Sequence, residues 1–179
     1  FYNANNSEIF YDFDILNIEN YSELKDKYSK IKFDFIFHLA AQPLVLNAYA
    51  KPGNTMRTNV SGTINLIDFI IETQSVSKNL FVTTDKVYFN SNSGVALSEN
   101  DKLWGNEPYA SSKVAMEAVI AGYFQSNQIF KKRSVIARAG NIFGGGDFSE
   151  NRLVVDYFSA KHSRKQVLIR QPHAIRPWQ

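Results

Sequence analysis

A tyrosine and a lysine stand four residues apart in the segment PYASSK, at Tyr109 and Lys113. Residues at positions i and i+4 share one face of a helix, so a helix here would place the two side chains side by side. A neighbouring ammonium favours the phenolate and lowers the pKa of a tyrosine toward the range of a general base. The pair therefore indicates proton abstraction from a substrate hydroxyl, although this spacing is also common by chance.

A hydroxyl, a carboxylate and an amine follow one another at Thr84, Asp85 and Lys86, directly after the apolar run NLFV. At the end of a strand, these groups could hold a substrate hydroxyl, donate a proton and accept one. The alternative is an ordinary turn in which the aspartate caps nearby backbone N–H groups. Taken alone, the segment leaves both interpretations open.

Two further segments could lie against a ligand. Ala40 and Ala41 end the run FIFHLAA and would let a flat ligand approach the backbone, with tight internal packing as the alternative. The loop GGGD at 144–147 lacks the Lys-Ser/Thr pair of a phosphate-binding P-loop, yet its glycines allow close approach of the backbone. Three arginines downstream have the fork geometry that suits phosphate: Arg152, Arg170 and Arg176.

Composition narrows the class of protein. The 179 residues contain no cysteine, which excludes disulfides, thiol nucleophiles and cysteine-based zinc sites. The three histidines are far apart in sequence, so we predict no metal site. The net charge is only +3 and the basic residues are scattered, so we expect neither nucleic acid nor a membrane as a partner. A cytoplasmic protein is the default expectation.

Hydrophobic patterns divide the chain into alternating strands and helices. Apolar runs predict strands at 8–13, 33–41, 79–84, 133–139 and 166–170. Spacings of three and four predict helices at 17–30, 54–73, 108–124 and 151–162. The helix at 54–73 places five apolar residues on one stripe: Met56, Val60, Ile64, Ile67 and Ile71. This alternation favours a doubly wound, Rossmann-like parallel α/β sheet, in which ligands bind at the carboxyl ends of the strands.

Taken in order, the segments resemble the extended short-chain dehydrogenase/reductase family. Five of them match strand-end signatures of that family, and the likeness covers nearly all of residues 8–179: HLAAQ, TNVSGT, TTDKVY, YASSK and RAGNIFG. Within the family, FIFHLAAQPLV, RAGNIFGGGD and RQPHAIRPWQ look most like the bacterial CDP-glucose 4,6-dehydratases.

The resemblance implies a lyase with bound NAD that converts a nucleotide sugar, CDP-glucose in particular, into a 4-keto-6-deoxy sugar, as in deoxysugar and O-antigen biosynthesis. It implies that Tyr109 takes the proton of the C4 hydroxyl while Lys113 holds the nicotinamide ribose. Hydride then passes from C4 to NAD, water leaves across C5–C6, and the hydride returns to C6. The resemblance gives Thr84 the contact with O4, Asp85 the role of acid, and Lys86 that of base or electrostatic helper. Many sister dehydratases carry glutamate where Lys86 stands.

Other contacts carry over motif by motif. The resemblance implies these cofactor contacts: Asp14 near the adenine, Leu39, Ala40, Ala41, Asn59 and Thr83. It implies these contacts with the sugar or the diphosphate: Gln42, Asn141, Arg152, Arg170 and Arg176. The chain departs from the family pattern at Leu46, where an arginine is usual, so a substrate contact there is in doubt.

The glycine-rich loop G-x-x-G-x-x-G that binds the pyrophosphate in this family does not occur in residues 1–179. We therefore expect an incomplete sequence: residues 1–149 from an NAD-binding domain without its first strands, and residues 150–179 from the start of a substrate-binding region. In the usual strand order 3-2-1-4-5-6, segments 8–13 and 33–41 would not be neighbours. When complete, the protein would form a homodimer or homotetramer through helices 54–73 and 108–125.

Two alternatives remain at this point. One is another nucleotide-sugar enzyme of the same fold, such as an epimerase, which needs the Tyr109–Lys113 pair but no acid at C6. The other is a non-catalytic NAD-binding sensor or assembly module, a class that typically lacks the tyrosine or the lysine.

Overall fold

The structure is a computed structural model that describes residues 13–74, 76–90 and 94–179. The predicted strand at 8–13 lies, apart from Phe13, outside the described residues. Two compact units are distinguished, one formed by Asp14–Ala139 and another that contains Gly140–Gln179. The predicted boundary after residue 149 stays a prediction.

A parallel sheet is the centre of the unit Asp14–Ala139. Its strands are, in spatial order, β1 (Phe33–His38), β2 (Val76–Thr84) and β3 (Ser134–Ala139). The register sets Phe37 opposite Leu80 and Thr84 opposite Ala139. All three strands therefore end at the same edge, and the prediction of a parallel α/β sheet is confirmed.

Helices connect the strands. In the described residues they are α1 (Tyr21–Tyr28), α2 (Val45–Ala50), α3 (Pro52–Met56), α4 (Gly62–Thr73), α5 (Pro108–Ser126), α6 (Gln128–Arg133) and α7 (Leu153–His162). The four predicted helices are confirmed, whereas α2 and α6 were not predicted. No described helix combines the length and apolar character that a membrane crossing requires.

The predicted helix at 54–73 contains a π-helical turn, Arg57–Ser61, between α3 and α4. A π turn holds more residues than an α turn, so it rotates the side chains that follow it. Of the predicted apolar stripe, only Ile67 is fully buried. The buried face instead carries polar residues in its first half, Thr55, Asn59 and Thr63, all 0% exposed. The turn thus directs polar groups inward beside the strand ends.

Helices cover one face of the sheet. Phe81 of β2 lies in the hydrophobic core between that face and the helices. Its ring makes an edge contact with Phe130 of α6 at 5.9 Å, and Met116 of α5 packs in the same cluster. Burying each such side chain stabilises the fold by about 1.5–3 kcal/mol. A continuous apolar run such as that of β1 is typical of a strand buried on both faces. In the part of the chain described, however, Phe35 and Phe37 are each 62% exposed on the opposite face.

The residues of Gly140–Gln179 are organised differently. Helix α7 has no buried residue. The predicted strand at 166–170 is wrong: these residues form no regular structure, because within the described chain no neighbouring strand pairs with them. The backbone pairing of this unit is a parallel bridge between Asn141 and Trp178, next to the contact of Phe143 with Trp178 at 6.2 Å.

Candidate active site

The segment Thr84–Asp85–Lys86 forms a capped turn at the end of β2. The Thr84 hydroxyl accepts from the Lys86 backbone N–H at 3.3 Å and donates to Asp85 Oδ1 at 3.2 Å. The Lys86 ammonium lies 3.8 Å from Asp85 Oδ1, and both of these side chains remain about one third exposed. A turn is therefore present as that interpretation expected, but its capping side chain is Thr84 and not Asp85. The turn also presents an acid and an amine at the strand end.

Helix α5 begins beside this turn and carries Tyr109 in its first turn. The Glu107 carboxylate caps the helix by accepting from the backbone N–H groups of Tyr109 at 2.7 Å and Ala110 at 2.8 Å. Pro108 fits the first helical position, where a missing N–H costs nothing. The helix packs against β2 and against the turn 85–87, so the half-buried Tyr109 starts a row of side chains next to the strand end.

Lys113 lies one turn further along α5 and is 4% exposed. Its ammonium donates to the Val82 carbonyl at 3.1 Å, two residues before Thr84. Burial lowers the pKa of Lys113 to about 8, while the charge of Glu117 opposes this shift. The helix that the spacing predicted is confirmed, and the lysine is anchored to β2 just before the turn that carries the candidate acid. Contact between the side chains of Tyr109 and Lys113 stays a prediction.

A buried polar network supports the start of α5. Asn59 Nδ2 donates to Ser112 Oγ at 2.8 Å, and its Oδ1 accepts from the Gln42 backbone N–H at 2.7 Å. His38 Nε2 lies 2.9 Å from Thr63 Oγ1. Burial, and to a smaller degree the charge of Lys113, lowers the pKa of His38 to about 4, so its ring is neutral near pH 7. The network fixes the end of β1 against the π turn and α5.

The predicted cofactor contacts differ in their accessibility. Leu39 is 66% exposed and Ala40 is also exposed, with Ala41 half-buried, so the backbone after β1 is open to a ligand. Thr83 and Asn59, by contrast, are buried and bonded within the chain.

Asp14 accepts from Tyr28 Oη at 2.6 Å and pairs with Lys27. The hydrogen bond from Lys27, followed by that from Tyr28, lowers the pKa of Asp14. The cofactor roles of all these residues remain predictions.

The sequence analysis missed two charged residues that the structure brings into this region. Glu117 is 4% exposed, and the Arg138 guanidinium bonds to its carboxylate with a shortest distance of 2.7 Å. This hydrogen bonding raises the pKa of Arg138 above its already high usual value. The signal was available, because Glu117 continues the i, i+4 row of Tyr109 and Lys113, and Arg138 is the one charge inside the strand SVIARA.

Some of the residues predicted to contact the substrate are hydrogen-bonded within the chain, and others are exposed. Gln42 Nε2 donates to Thr55 Oγ1 at 2.8 Å. Within Gly140–Gln179, Asn141 Nδ2 donates to the Pro177 carbonyl at 3.1 Å, and Arg152 Nε lies 3.4 Å from Asp147 Oδ2. Arg170 lines a cavity of about 240 Å³, and Arg176 is exposed. Their substrate roles remain predictions.

Residues 2–179 match the family model of GDP-mannose 4,6 dehydratase. The chain is 34% identical over 169 residues to CDP-glucose 4,6-dehydratase of Salmonella typhimurium, an alignment that covers 91% of this chain and 47% of that protein. It is 30% identical over 144 residues to dTDP-D-glucose 4,6-dehydratase of Dictyostelium discoideum, covering 75% of this chain and 32% of the other.

Among solved structures, the fold is similar to that of DesIV, the dTDP-glucose 4,6-dehydratase of Streptomyces venezuelae with NAD bound. The TM-score is 0.77 at 24% identity, over 90% of this chain and 48% of that one. This likeness shows a Rossmann-like fold shared with half of the DesIV chain. The chain thus spans about half the length, or less, of the proteins that it matches.

Proposed function

Since the chain belongs to the GDP-mannose 4,6-dehydratase family, we propose that the complete protein is an NAD-dependent 4,6-dehydratase of a nucleotide-activated hexose. We propose CDP-glucose as its substrate, because the relative that aligns over 91% of the chain is a CDP-glucose 4,6-dehydratase. The observation that carries the proposal is the position of α5 with its Tyr109–Lys113 row, packed against the end of β2 where Thr84, Asp85 and Lys86 stand.

The described residues fit one side of an NAD site. Leu39 and Ala40 are exposed just beyond β1, and the small side chains of Ala40 and Ala41 leave room for a flat ring. Lys113 supplies a buried cation one helical turn from Tyr109. When bound, NAD would supply the acceptor for the hydride lost from C4 and, once reduced, the donor of that hydride to C6.

Tyr109 acts first, by accepting the proton of the C4 hydroxyl as that carbon is oxidised. The ammonium of Lys113 favours the phenolate that this step requires. The resulting ketone at C4 acidifies the C5–H bond, because the negative charge that develops spreads onto the carbonyl oxygen. The Thr84 hydroxyl, at the end of β2, is the donor that we assign to that oxygen, in exchange for its bond to Asp85 Oδ1.

Asp85 and Lys86 then carry out the elimination. Asp85 protonates the departing C6 hydroxyl and Lys86 takes the C5 proton, so that one water leaves and a C5–C6 double bond forms. At 3.8 Å the two side chains form an ion pair. Transfer of one proton from the ammonium to the carboxylate creates the acid and the base together, with no change in net charge. Exclusion of water by bound substrate favours that neutral form over the charged one.

A panel of nucleotide sugars tests this proposal. The complete protein is incubated with CDP-, dTDP-, UDP- and GDP-linked hexoses, and the 4-keto-6-deoxy product is followed by mass spectrometry as the loss of one water. We expect turnover of CDP-glucose at a kcat/KM at least tenfold above that of the other three. Preferred turnover of another nucleotide sugar would remove the assignment of CDP-glucose, and absence of dehydration throughout would remove the assignment of the activity.

We further propose that the complete protein forms a dimer through α4 and α5. These helices line a shallow groove of about 310 Å³ whose walls include Ile64, Val119 and Gly122. Light scattering of the complete protein should give twice the chain mass, and Val119→Arg should halve it. A monomeric unmodified protein would contradict this assignment.

A further inference from the structure

Arg138 connects three elements around the candidate active site. Its Nε and Nη2 donate to the Glu117 carboxylate of α5 at 2.7–3.1 Å, while Nη1 donates to the Glu99 carbonyl at 3.0 Å. The guanidinium also lies 4.8 Å from the centre of the Tyr88 ring. Glu99 and Tyr88 both belong to the loop between the turn 85–87 and α5. One side chain of β3 thus contacts Tyr88 and Glu99 of this loop and the helix that follows it.

Besides its contact with Arg138, Glu117 also binds α5 to β2. Its Oε1 accepts from the Thr83 hydroxyl at 2.7 Å, and one helical turn earlier Lys113 donates to the Val82 carbonyl at 3.1 Å. Two successive residues of β2 are therefore bound to two successive turns of α5, immediately before Thr84. Glu117 and Thr83 are each 4% exposed, so their bonds exchange little with water.

We propose that Glu117 and Arg138 are positioning residues for the dehydration. In this role the pair sets the spacing between the Tyr109–Lys113 row and the turn that carries Asp85, and it holds the intervening loop in place. The inference rests on the proposed function, because it assigns these two residues to the geometry of that reaction. Neither side chain is assigned contact with the substrate.

The pair also carries two opposite charges, of which that of Glu117 acts on Lys113, and this makes the role measurable. The groups that interact with Lys113 are His38 of β1, Glu117 of α5 and the Val82 carbonyl of β2, while Arg138 of β3 is bonded to Glu117. The Glu117 charge raises the pKa of Lys113 against the effect of burial. Removing the negative charge of Glu117 should lower the pKa of Lys113 further. Removing the positive charge of Arg138, which offsets that of Glu117, should raise it.

The test compares Glu117→Gln with Arg138→Gln in the complete protein, with kcat and KM measured between pH 6 and 10. In both variants kcat should fall about 10- to 100-fold, as expected for displaced catalytic groups, with KM within about threefold of the unmodified protein. The alkaline limb of the pH profile follows loss of the Lys113 proton. It should move by about one pH unit to lower pH in Glu117→Gln and to higher pH in Arg138→Gln.

Two milder variants keep the inference falsifiable if either substitution prevents folding. Arg138→Lys keeps the charge and loses the forked contact, so kcat should fall while the alkaline limb stays in place. Thr83→Val removes the hydroxyl bond to Glu117 and a longer one, 3.5 Å, to the Ala137 carbonyl, and it should lower kcat several-fold at nearly unchanged melting temperature. Glu72→Gln, in an exposed pair with Lys25 on the helix surface, is the matched control and should leave all these quantities unchanged.

The outcomes separate this inference from the proposed function. An unmodified protein that dehydrates no nucleotide sugar overturns both. An active unmodified protein overturns the positioning role alone if the alkaline limbs of Glu117→Gln and Arg138→Gln coincide, or if Arg138→Lys and Thr83→Val both retain full kcat.

Discussion

Asp14–Ala139 and Gly140–Gln179 divide the candidate functional residues between them, and they are built in different ways. The first has a covered sheet face around Phe81 and buried polar side chains such as Asn59 and Glu117, each bonded to a second element. Every residue of the second is at least partly exposed, and several of its apolar side chains are open to solvent, with Phe148 at 83% and Ile175 at 100% exposure.

This contrast indicates that the two units have different roles, proton transfer in the first and substrate binding in the second. The groups that we assign to proton transfer stand on elements fixed by buried hydrogen bonds, and such elements can hold the sub-ångström geometry that chemistry needs. The arginines that we assign to the diphosphate stand on a segment without a core of its own. Exposed apolar surface of this kind usually marks a contact with another part of a protein or with a ligand. Substitutions in the two units should therefore have different kinetic consequences.

The largest effect should come from Tyr109→Phe, which removes the general base and keeps the ring. We expect kcat of the complete protein to fall about 10³- to 10⁴-fold with KM nearly unchanged. Steady-state kinetics on CDP-glucose measures both, and the melting temperature serves as the control for folding. Full activity of this variant would remove the catalytic interpretation of α5.

Lys113→Met tests how the stability of the protein depends on pH. Burial lowers the pKa of Lys113 from 10.5 to about 8, so between these values the unfolded chain binds a proton that the folded protein has released. The unfolding free energy of the unmodified protein should therefore rise with pH across this window, by about 3 kcal/mol relative to Lys113→Met. Urea unfolding at pH 7 and pH 10 measures the difference. If the unfolding free energies of the two proteins change with pH in the same way, the pKa of Lys113 is not lowered in the folded protein.

Arg152→Gln addresses the second unit. A charged hydrogen bond to a phosphate contributes about 1.5–3 kcal/mol, so KM for the nucleotide sugar should rise about 10- to 100-fold while kcat changes less than threefold. Lys161→Gln changes an exposed cation of the same unit that we assign to no ligand, so it is the control and should leave KM unchanged. A kcat effect as large as that of Tyr109→Phe would abolish the proposed division between the two units.

The smallest effects should come from a pair of glycines. A Cβ added at Gly105 would lie 2.3 Å from the Ser111 backbone, whereas one added at Gly144 meets nothing within 4 Å. Gly105→Ala should destabilise the protein by about 1–3 kcal/mol through overpacking at the start of α5. Gly144→Ala should change stability by less than about 0.5 kcal/mol. Thermal unfolding of both variants measures these effects. Equal destabilisation would contradict the difference in packing between the two glycines.

The sequence predicted the strands and α5 well, because apolar runs and i, i+4 spacing are local signals. It could not show the π turn at 57–61, since that turn depends on where Asn59 finds hydrogen-bond partners in the folded chain. The prediction of a strand at 166–170 was wrong because a strand needs a pairing partner, and a run of five residues does not show whether one is present. The Glu117–Arg138 contact joins residues 21 positions apart, so only the folded chain reveals that the two charges meet.

The route of the C4 hydrogen tests the account most directly. The complete protein is given CDP-glucose deuterated at C4, and the product is analysed by NMR and mass spectrometry. We predict a 4-keto-6-deoxy product that has lost one water and carries the deuterium on the C6 methyl group. Deuterium retained at C4 in a product of unchanged mass would show epimerisation or no reaction, and it would contradict the assignment of Thr84, Asp85 and Lys86 to an elimination.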